Sequence, residues 1–154
     1  MKNILITGIT GSGGSYLAEY IIENHPECMV CGTHRWHSAG TLINIKNIKD
    51  KIKIYEADLL DISSVIRTLQ EVKPHIIFHL AAYANVKKCF DTPLAVLNNN
   101  IMGTANLLEA VRLACPESLI QICSTSEVYG NPKVFPMTED HPKIPVNNYS
   151  VSKL

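Results

Sequence analysis

The sequence predicts an α/β fold, a doubly wound parallel sheet of the Rossmann-like type with strand order 3-2-1-4-5. Three observations lead there. Short apolar runs alternate with amphipathic segments from residue 3 onward, the pattern of parallel strands covered by helices on both faces. A glycine-rich turn joins the first run to the first amphipathic segment, where an open parallel sheet holds its ligand. The crossover after the third run places a switch point between the first and fourth strands. At 154 residues, 46% hydrophobic and 18% charged, the chain suits one domain with a sizeable core.

Taken in order, Asn3-Ile-Leu-Ile-Thr7 is a short apolar strand running into glycines. Residues 14–24 carry Leu17, Tyr20 and Ile21 at helical spacing and stop at Asn24-His25-Pro26. A second strand spans 28–33, and residues 40–50 read equally as a short helix or a loop. Lys53-Ile-Tyr-Glu-Ala57 alternates as a third strand. Asp61 then caps a helix bearing Val65, Ile66, Leu69 and Val72, which ends before Pro74. His75 to Leu80 is the fourth strand. A long helix follows from Pro93 to Ala114, with Leu94, Leu97, Ile101, Ala105, Leu108 and Val111 expected along one side. Leu119 to Cys123 is the fifth strand. Residues 130–148, rich in proline and asparagine, form a loop leading to a helix that begins near Tyr149.

Composition removes several function classes. Lys plus Arg equals Asp plus Glu, 14 each, so nothing points to nucleic acid or a membrane surface as partner. No apolar run reaches the roughly 18 residues a bilayer span needs. Met1-Lys-Asn-Ile-Leu-Ile-Thr-Gly8 lacks the character of a signal peptide, and a cytoplasmic location is expected. Cys28-Met-Val-Cys31 has C-x-x-C spacing, yet it lies on a strand where successive side chains face opposite ways. No metal site is expected, and the five cysteines read as small thiols of a reduced core.

Thr7-Gly8-Ile-Thr-Gly11-Ser12-Gly13-Gly14 carries glycines spaced for a tight turn, a close approach of backbone to pyrophosphate, and close helix–strand packing. Its G-x-x-G-x-x-G spacing differs from the commoner G-x-G-x-x-G. After the second strand the chain reads Gly32-Thr33-His34-Arg35-Trp36-His37-Ser38, with no acid for a ribose 2′-hydroxyl. That favours NADP over NAD, with Arg35 meeting the 2′-phosphate and Ser38 assisting.

Tyr149-Ser-Val-Ser-Lys153 places a phenol and an ammonium four residues apart, on one face if helical. A neighbouring cation lowers a tyrosine pKa, and a base working near neutrality needs a shift of about 3 units, roughly 4 kcal/mol. One lysine seldom supplies that, so a second positive group such as oxidised nicotinamide is wanted. Ser124-Thr-Ser-Glu-Val-Tyr-Gly130 follows the fifth strand and brings a hydroxyl and a carboxylate to the same sheet edge.

These motifs together resemble the extended short-chain dehydrogenase/reductase family of nucleotide-sugar enzymes: T-G-x-x-G-x-x-G at 7–14, Asp58-Leu-Leu-Asp61, His79-Leu-Ala-Ala82, Asn100-Ile-Met-Gly-Thr104, residues 124–130, and Y-x-x-x-K at 149–153. Gly8-Ile-Thr-Gly11, Gly14 to Glu19, Gln70 to Pro74 and Glu109 to Arg112 are most similar to its GDP-mannose 4,6-dehydratase branch. The resemblance implies cofactor contacts from Gly8, Gly11, Ser12, Gly13, Gly14, Asp58, Leu59, Leu80, Ala81, Ala82, Tyr149 and Lys153. It implies that Thr125 hydrogen-bonds the sugar 4-hydroxyl, Tyr149 removes its proton, Lys153 holds the cofactor ribose, and Glu127 takes the C5 proton before water leaves from C6. The substrate implied is a nucleotide sugar, GDP-mannose favoured. UDP-glucuronate decarboxylases and sugar-nucleotide epimerases of the same family are the alternatives.

Two departures matter. Trp36 stands where that branch usually has a second arginine, and Tyr83 to Phe90 departs from its small and polar residues. Family members continue past Y-x-x-x-K, so the resemblance covers their N-terminal part, without a substrate domain, and the full-length form is expected to be a homo-oligomer. On that basis the chain alone is expected to be inactive, or to be a module that holds a dinucleotide without chemistry. Residues 149–154 fall well short of the ~12–15 at which isolated helices become marginal, so Tyr149 and Lys153 are expected to fray unless other protein covers them.

Overall fold

The computed structural model describes residues 1–35 and 42–154. Ser38, assigned above to the cofactor, and Trp36 lie outside the described residues. Five parallel strands, β1 (Lys2–Thr7), β2 (Cys28–His34), β3 (Lys53–Glu56), β4 (Ile76–His79) and β5 (Leu119–Ile122), form one sheet in the order β3-β2-β1-β4-β5. This is the predicted topology. Register follows from burial on both faces: Leu5 pairs across to Cys31 on one side and Ile77 on the other, and all three are buried.

Alternation along β1 builds two cores. Ile4 and Ile6 pack with Val30, Ile9 and the first helix, α1 (Ser12–Asn24), through Ala18 and Ile21. Ile45, Ile48 and Ile52, from the 3-10 turns that occupy the segment left open in the sequence, close that core. Leu5, Cys31 and Ile77 face the other way, onto α2 (Ile62–Val72) and α5 (Gly103–Ala114). Cys28 and Cys31 thus serve opposite faces, and all five thiols are free. Asp61 caps α2 by accepting from the Ser63 N–H, as its position predicts.

The long helix departs from the simple pattern. It runs as α4 (Pro93–Leu97), a π-helical segment over Asn98–Met102, and α5, after a short α3 (Val86–Asp91). Val96, Asn99, Asn100, Gly103, Leu107, Ala110 and Val111 are buried. Of the stripe expected from 3.6-residue spacing, Leu94, Ile101, Ala105 and Leu108 are exposed instead. The buried positions keep one helical period through the π-helical segment, so the expected period holds and the expected phase does not: apolar residues also occupy the exposed face, and the stripe chosen is that one. Tyr20 on α1 is likewise exposed.

The last element, α6 (Asn148–Ser152), is a single turn, and it forms where its length alone predicts fraying. A capping box holds its start: Asn147 accepts from the Ser150 N–H at 2.8 Å, and the Ser150 hydroxyl accepts from the Asn147 N–H at 3.2 Å. Ser124 Oγ donates to the Lys153 carbonyl at 2.7 Å, closing the far end.

Candidate functional site

The carboxyl ends of β1, β2 and β4 open onto a cleft of about 400 Å³. Gly8, Gly11, Ser12, Gly13 and Gly14 form its floor. Arg35 stands on one side, with Leu80, Ala81 and Ala82 on the other. The glycines do different jobs. Gly8 sits at φ +71° with Ala81 Cα 2.9 Å from where a Cβ would stand, and a Cβ on Gly14 would lie 2.6 Å from the Gly8 carbonyl. Gly13 meets nothing within 4 Å, so its missing side chain leaves open space above the loop. No side chain caps the start of α1, and its free N–H groups suit a pyrophosphate. The cleft therefore fits a dinucleotide.

Leu59 lines the cleft, whereas Asp58 does not. The Asp58 carboxylate accepts from the Leu60 N–H at 2.9 Å and shapes the turn that presents Leu59. Thr10, Thr33, His34, Ala57, Ala84 and Asn99 also line the space. No motif spacing singles them out, since most arrive there as neighbours of strand ends.

A one-directional hydrogen-bond chain runs beneath the cleft. His79 is 1% exposed, with Nδ1 2.8 Å from Thr7 Oγ1 and Nε2 3.0 Å from Thr104 Oγ1. Thr104 spends its only proton on the Asn100 carbonyl at 2.6 Å. His79 Nε2 must then donate to Thr104, which leaves Nδ1 to accept from Thr7, while Thr7 Oγ1 accepts from the Ala81 N–H at 3.2 Å. Burial, with the Lys153 ammonium adding to it, lowers the His79 pKa from 6.5 to about 4, so the imidazole is neutral. The network thereby ties the glycine-loop strand, the β4 end and the π-helical turn together.

Asn100 extends this tie to the catalytic segment. Its Oδ1 accepts from the Tyr83 N–H at 2.8 Å and from Asn99 Nδ2 at 3.1 Å. Its Nδ2 donates to the Tyr83 carbonyl at 3.3 Å and to Ser152 Oγ at 2.8 Å. Ser152 Oγ donates in turn to the Tyr149 carbonyl at 2.7 Å. Motif matching locates Asn100, but its job as a clamp on α6 is visible only in three dimensions.

The structure brings Thr125, Glu127 and Tyr149 together at the end of β5. Thr125 caps the 3-10 turn Ser126–Tyr129 by accepting from the Glu127 N–H. The Glu127 carboxylate accepts from Asn147 Nδ2 at 2.7 Å, so the residue that caps α6 also aims the acid. Gly130 is obligatory: its φ is +65°, and a Cβ there would collide with the Ile144 carbonyl.

The Tyr149–Lys153 expectation needs correction. Lys153 is the residue that ends α6, at φ −113°, rather than a member of the helix. Burial pushes the Tyr149 phenol above its usual range, a hydrogen bond with the Thr125 side chain opposes this, and the charges of Glu127 and Cys123 add to the rise. Burial lowers Lys153, with Cys123 partly offsetting it. The Lys153 ammonium is not among the groups that shift the phenol, whose rise comes from desolvation first.

Among the described residues, no cluster of three or more His, Cys, Asp or Glu could hold a metal, and no helix is long and apolar enough to cross a membrane. The profile of the GDP-mannose 4,6 dehydratase family matches residues 5–154. GDP-mannose 4,6-dehydratase of Yersinia enterocolitica is 36% identical over 100% of this chain and 43% of its own length. UDP-glucose 4-epimerase of Mycolicibacterium smegmatis is 33% identical over 97% of this chain and 47% of its own. Among solved structures, the UDP-Glc/GlcNAc 4-epimerase of Campylobacter jejuni superposes with a TM-score of 0.90 at 28% identity, covering 99% of this chain and 46% of that one. The dTDP-glucose 4,6-dehydratase of Bacillus anthracis, in complex with NAD, gives a TM-score of 0.85 at 27% identity over 99% and 47%. The chain spans less than half the length of these relatives. With the fold and the glycine cleft both in place, the chain belongs to the GDP-mannose 4,6-dehydratase family of nucleotide-sugar enzymes.

Proposed function

We propose that this chain is the dinucleotide-binding and catalytic part of an NADP-dependent nucleotide-sugar 4,6-dehydratase that acts on GDP-mannose. The observation that carries this reading is Glu127, a carboxylate aimed by Asn147 beside Tyr149 and Thr125. A 4-epimerase needs no base for a C5 proton, whereas a 4,6-dehydratase does.

The chemistry assigned to each residue is the one the family resemblance implies. Thr125 hydrogen-bonds the sugar 4-hydroxyl. Tyr149 takes its proton, and Lys153 holds the cofactor ribose from its half-buried position. A bound nicotinamide supplies a place to hold the hydride lifted from C4 until it returns to C6, and a positive charge that offsets the raised phenol. Glu127 takes the proton from C5, made acidic by the ketone at C4, and later returns it. Hydroxide lost from C6 and the proton taken from the 4-hydroxyl sum to one water, so the sugar is neither oxidised nor reduced overall.

NADP is preferred because Arg35 lines the cleft and, among the described residues, no acid follows β2. Residues 1–154 act as the dinucleotide-binding domain, and the substrate domain corresponds to the part of the relatives that this chain does not cover. Exposed Leu94, Ile101 and Leu108 on the long helix support a subunit contact in the whole protein. A cytoplasmic setting accords with a cytosolic sugar-nucleotide pool.

Incubating this chain, joined to the substrate domain its relatives carry, with GDP-mannose and NADP⁺, and following loss of water by mass spectrometry, tests the activity. The chain alone is expected to give no product. A 4-keto-6-deoxy product that disappears in Glu127→Gln supports the reading. Interconversion of UDP-glucose and UDP-galactose without dehydration would instead favour the epimerase alternative, which the 0.90 TM-score to an epimerase keeps in view. Binding with no product leaves a dinucleotide-holding module.

A further inference from the structure

The segment after β4 departs from family habit at Tyr83, and the structure gives that residue a partner. The Arg35 guanidinium lies over the Tyr83 ring, 5.2 Å from its centroid, a cation–π contact. The two residues come from different sides of the cleft. Arg35 follows β2 and Tyr83 follows β4, and β1 with its glycine loop lies between them. Two strand spacings separate those ends, about 10 Å, a gap that only two long side chains reaching toward each other can close. Residues on both sides of the contact, Arg35 itself and Ala82 and Ala84 next to Tyr83, line the cleft.

Tyr83 is well fixed for this role. Its N–H and carbonyl are both held by the buried Asn100 side chain, so the backbone that carries the ring is anchored. Among the described residues no acidic side chain pairs with Arg35, so the ring is the partner the guanidinium has.

We propose that the Arg35–Tyr83 pair is a strap across the dinucleotide cleft, and that Tyr83 sets cofactor affinity by competing for the guanidinium. This rests on the reading of the cleft as a dinucleotide site. A dinucleotide running from the β2 end to the β4 end crosses the span the pair occupies, so binding separates the two side chains. A 2′-phosphate offers the freed guanidinium a charge-assisted, bidentate partner stronger than a ring face. NAD⁺ offers none. Tyr83 therefore acts against both cofactors equally, and Arg35 then returns the loss only to NADP⁺.

Dissociation constants of NADP⁺ and NAD⁺, measured by calorimetry, test this for the wild-type chain, Tyr83→Leu, Tyr83→Phe, Arg35→Met and the Tyr83→Leu/Arg35→Met double variant. Tyr83→Leu is expected to tighten both cofactors by the same factor, about 2- to 5-fold for a pair at a partly exposed site, and Tyr83→Phe to change neither. Arg35→Met should tighten NAD⁺ by that same factor while weakening NADP⁺, and the double variant should bind NAD⁺ no better than either single one. Weaker NADP⁺ binding in Tyr83→Leu would overturn the strap and make Tyr83 a direct contact. Unchanged constants would overturn it too. Without any cofactor, the Arg35 Nε–H resonance should carry a ring-current shift that vanishes in Tyr83→Leu and on saturation with NADP⁺. A strap seen in that resonance, with no binding of either dinucleotide, would overturn the cofactor reading and with it the competition, while leaving the contact itself established.

Discussion

Acidifying the chain should unfasten it at His79, and the size of the effect follows from the site. The imidazole is buried, and its hydrogen bonds to Thr7 and Thr104 fix it as the neutral Nε2–H tautomer. Burial first and Lys153 second lower its pKa to about 4, against 6.5 for the free side chain. Between those values the unfolded chain binds a proton that the folded chain refuses, so stability rises with pH across that window. The contribution is complete above pH 6.5, is lost as pH falls toward about 4, and is flat below. At about 1.4 kcal/mol per unit the total is about 3 kcal/mol, a large share of the stability of a domain this size. Urea unfolding at stepped pH would be measured for the wild type and for His79→Gln, whose amide can donate to Thr104 and accept from Thr7 without titrating. Other histidines and carboxylates titrate in both proteins and cancel in the difference. A wild-type-minus-variant difference that does not move between pH 6.5 and 4, or one that grows as pH falls, would refute the assigned tautomer and burial.

The glycine loop gives a paired test. Gly14→Ala drives a Cβ against the Gly8 carbonyl and should cost about 1–3 kcal/mol in urea unfolding, whereas Gly13→Ala, whose Cβ meets open space in the first turn of α1, should stabilise by about 0.5–1 kcal/mol. Asn100→Ala strands the Tyr83 amide and carbonyl and the Ser152 hydroxyl, with a cost of about 3 kcal/mol. Hydrogen exchange should then quicken at Ser150 and Val151 well before it quickens in β1.

Strand order and the glycine cleft are legible in the sequence because each rests on local pattern: apolar runs of strand length, and glycines where only glycine fits. Thr125, Glu127 and Tyr149 are legible as a group because motif order and topology deliver them to one sheet edge. What escapes is whatever depends on exact phase or depth. The face of the long helix is misread because apolar residues lie on both sides of it, and the buried side carries Asn99, Asn100 and Gly103, which hydrophobicity alone does not mark. The Tyr149 pKa is misread because a spacing rule gives proximity to Lys153 but not the desolvation that raises the phenol. The stability of α6 is missed because its cap pairs over three residues while its clamp, Asn100, lies about fifty residues upstream.

The π-helical turn at Asn98–Met102 leaves the buried side of the rod in line: Val96, Asn99 and Asn100 share a face with Gly103, Leu107, Ala110 and Val111. Each residue of an α-helix rotates its successor by about 100°. Removing one residue there would swing the half that follows by roughly that angle against the half that precedes. Asn100 and Thr104 could not then face Tyr83, Ser152 and His79 while Leu107 and Val111 stay in the core. One continuous face of the rod thus serves two neighbours, a sheet that wants apolar side chains and a site that wants amides. Length at this point is therefore more constrained than composition, and a one-residue deletion should do more harm than most substitutions within the same turn.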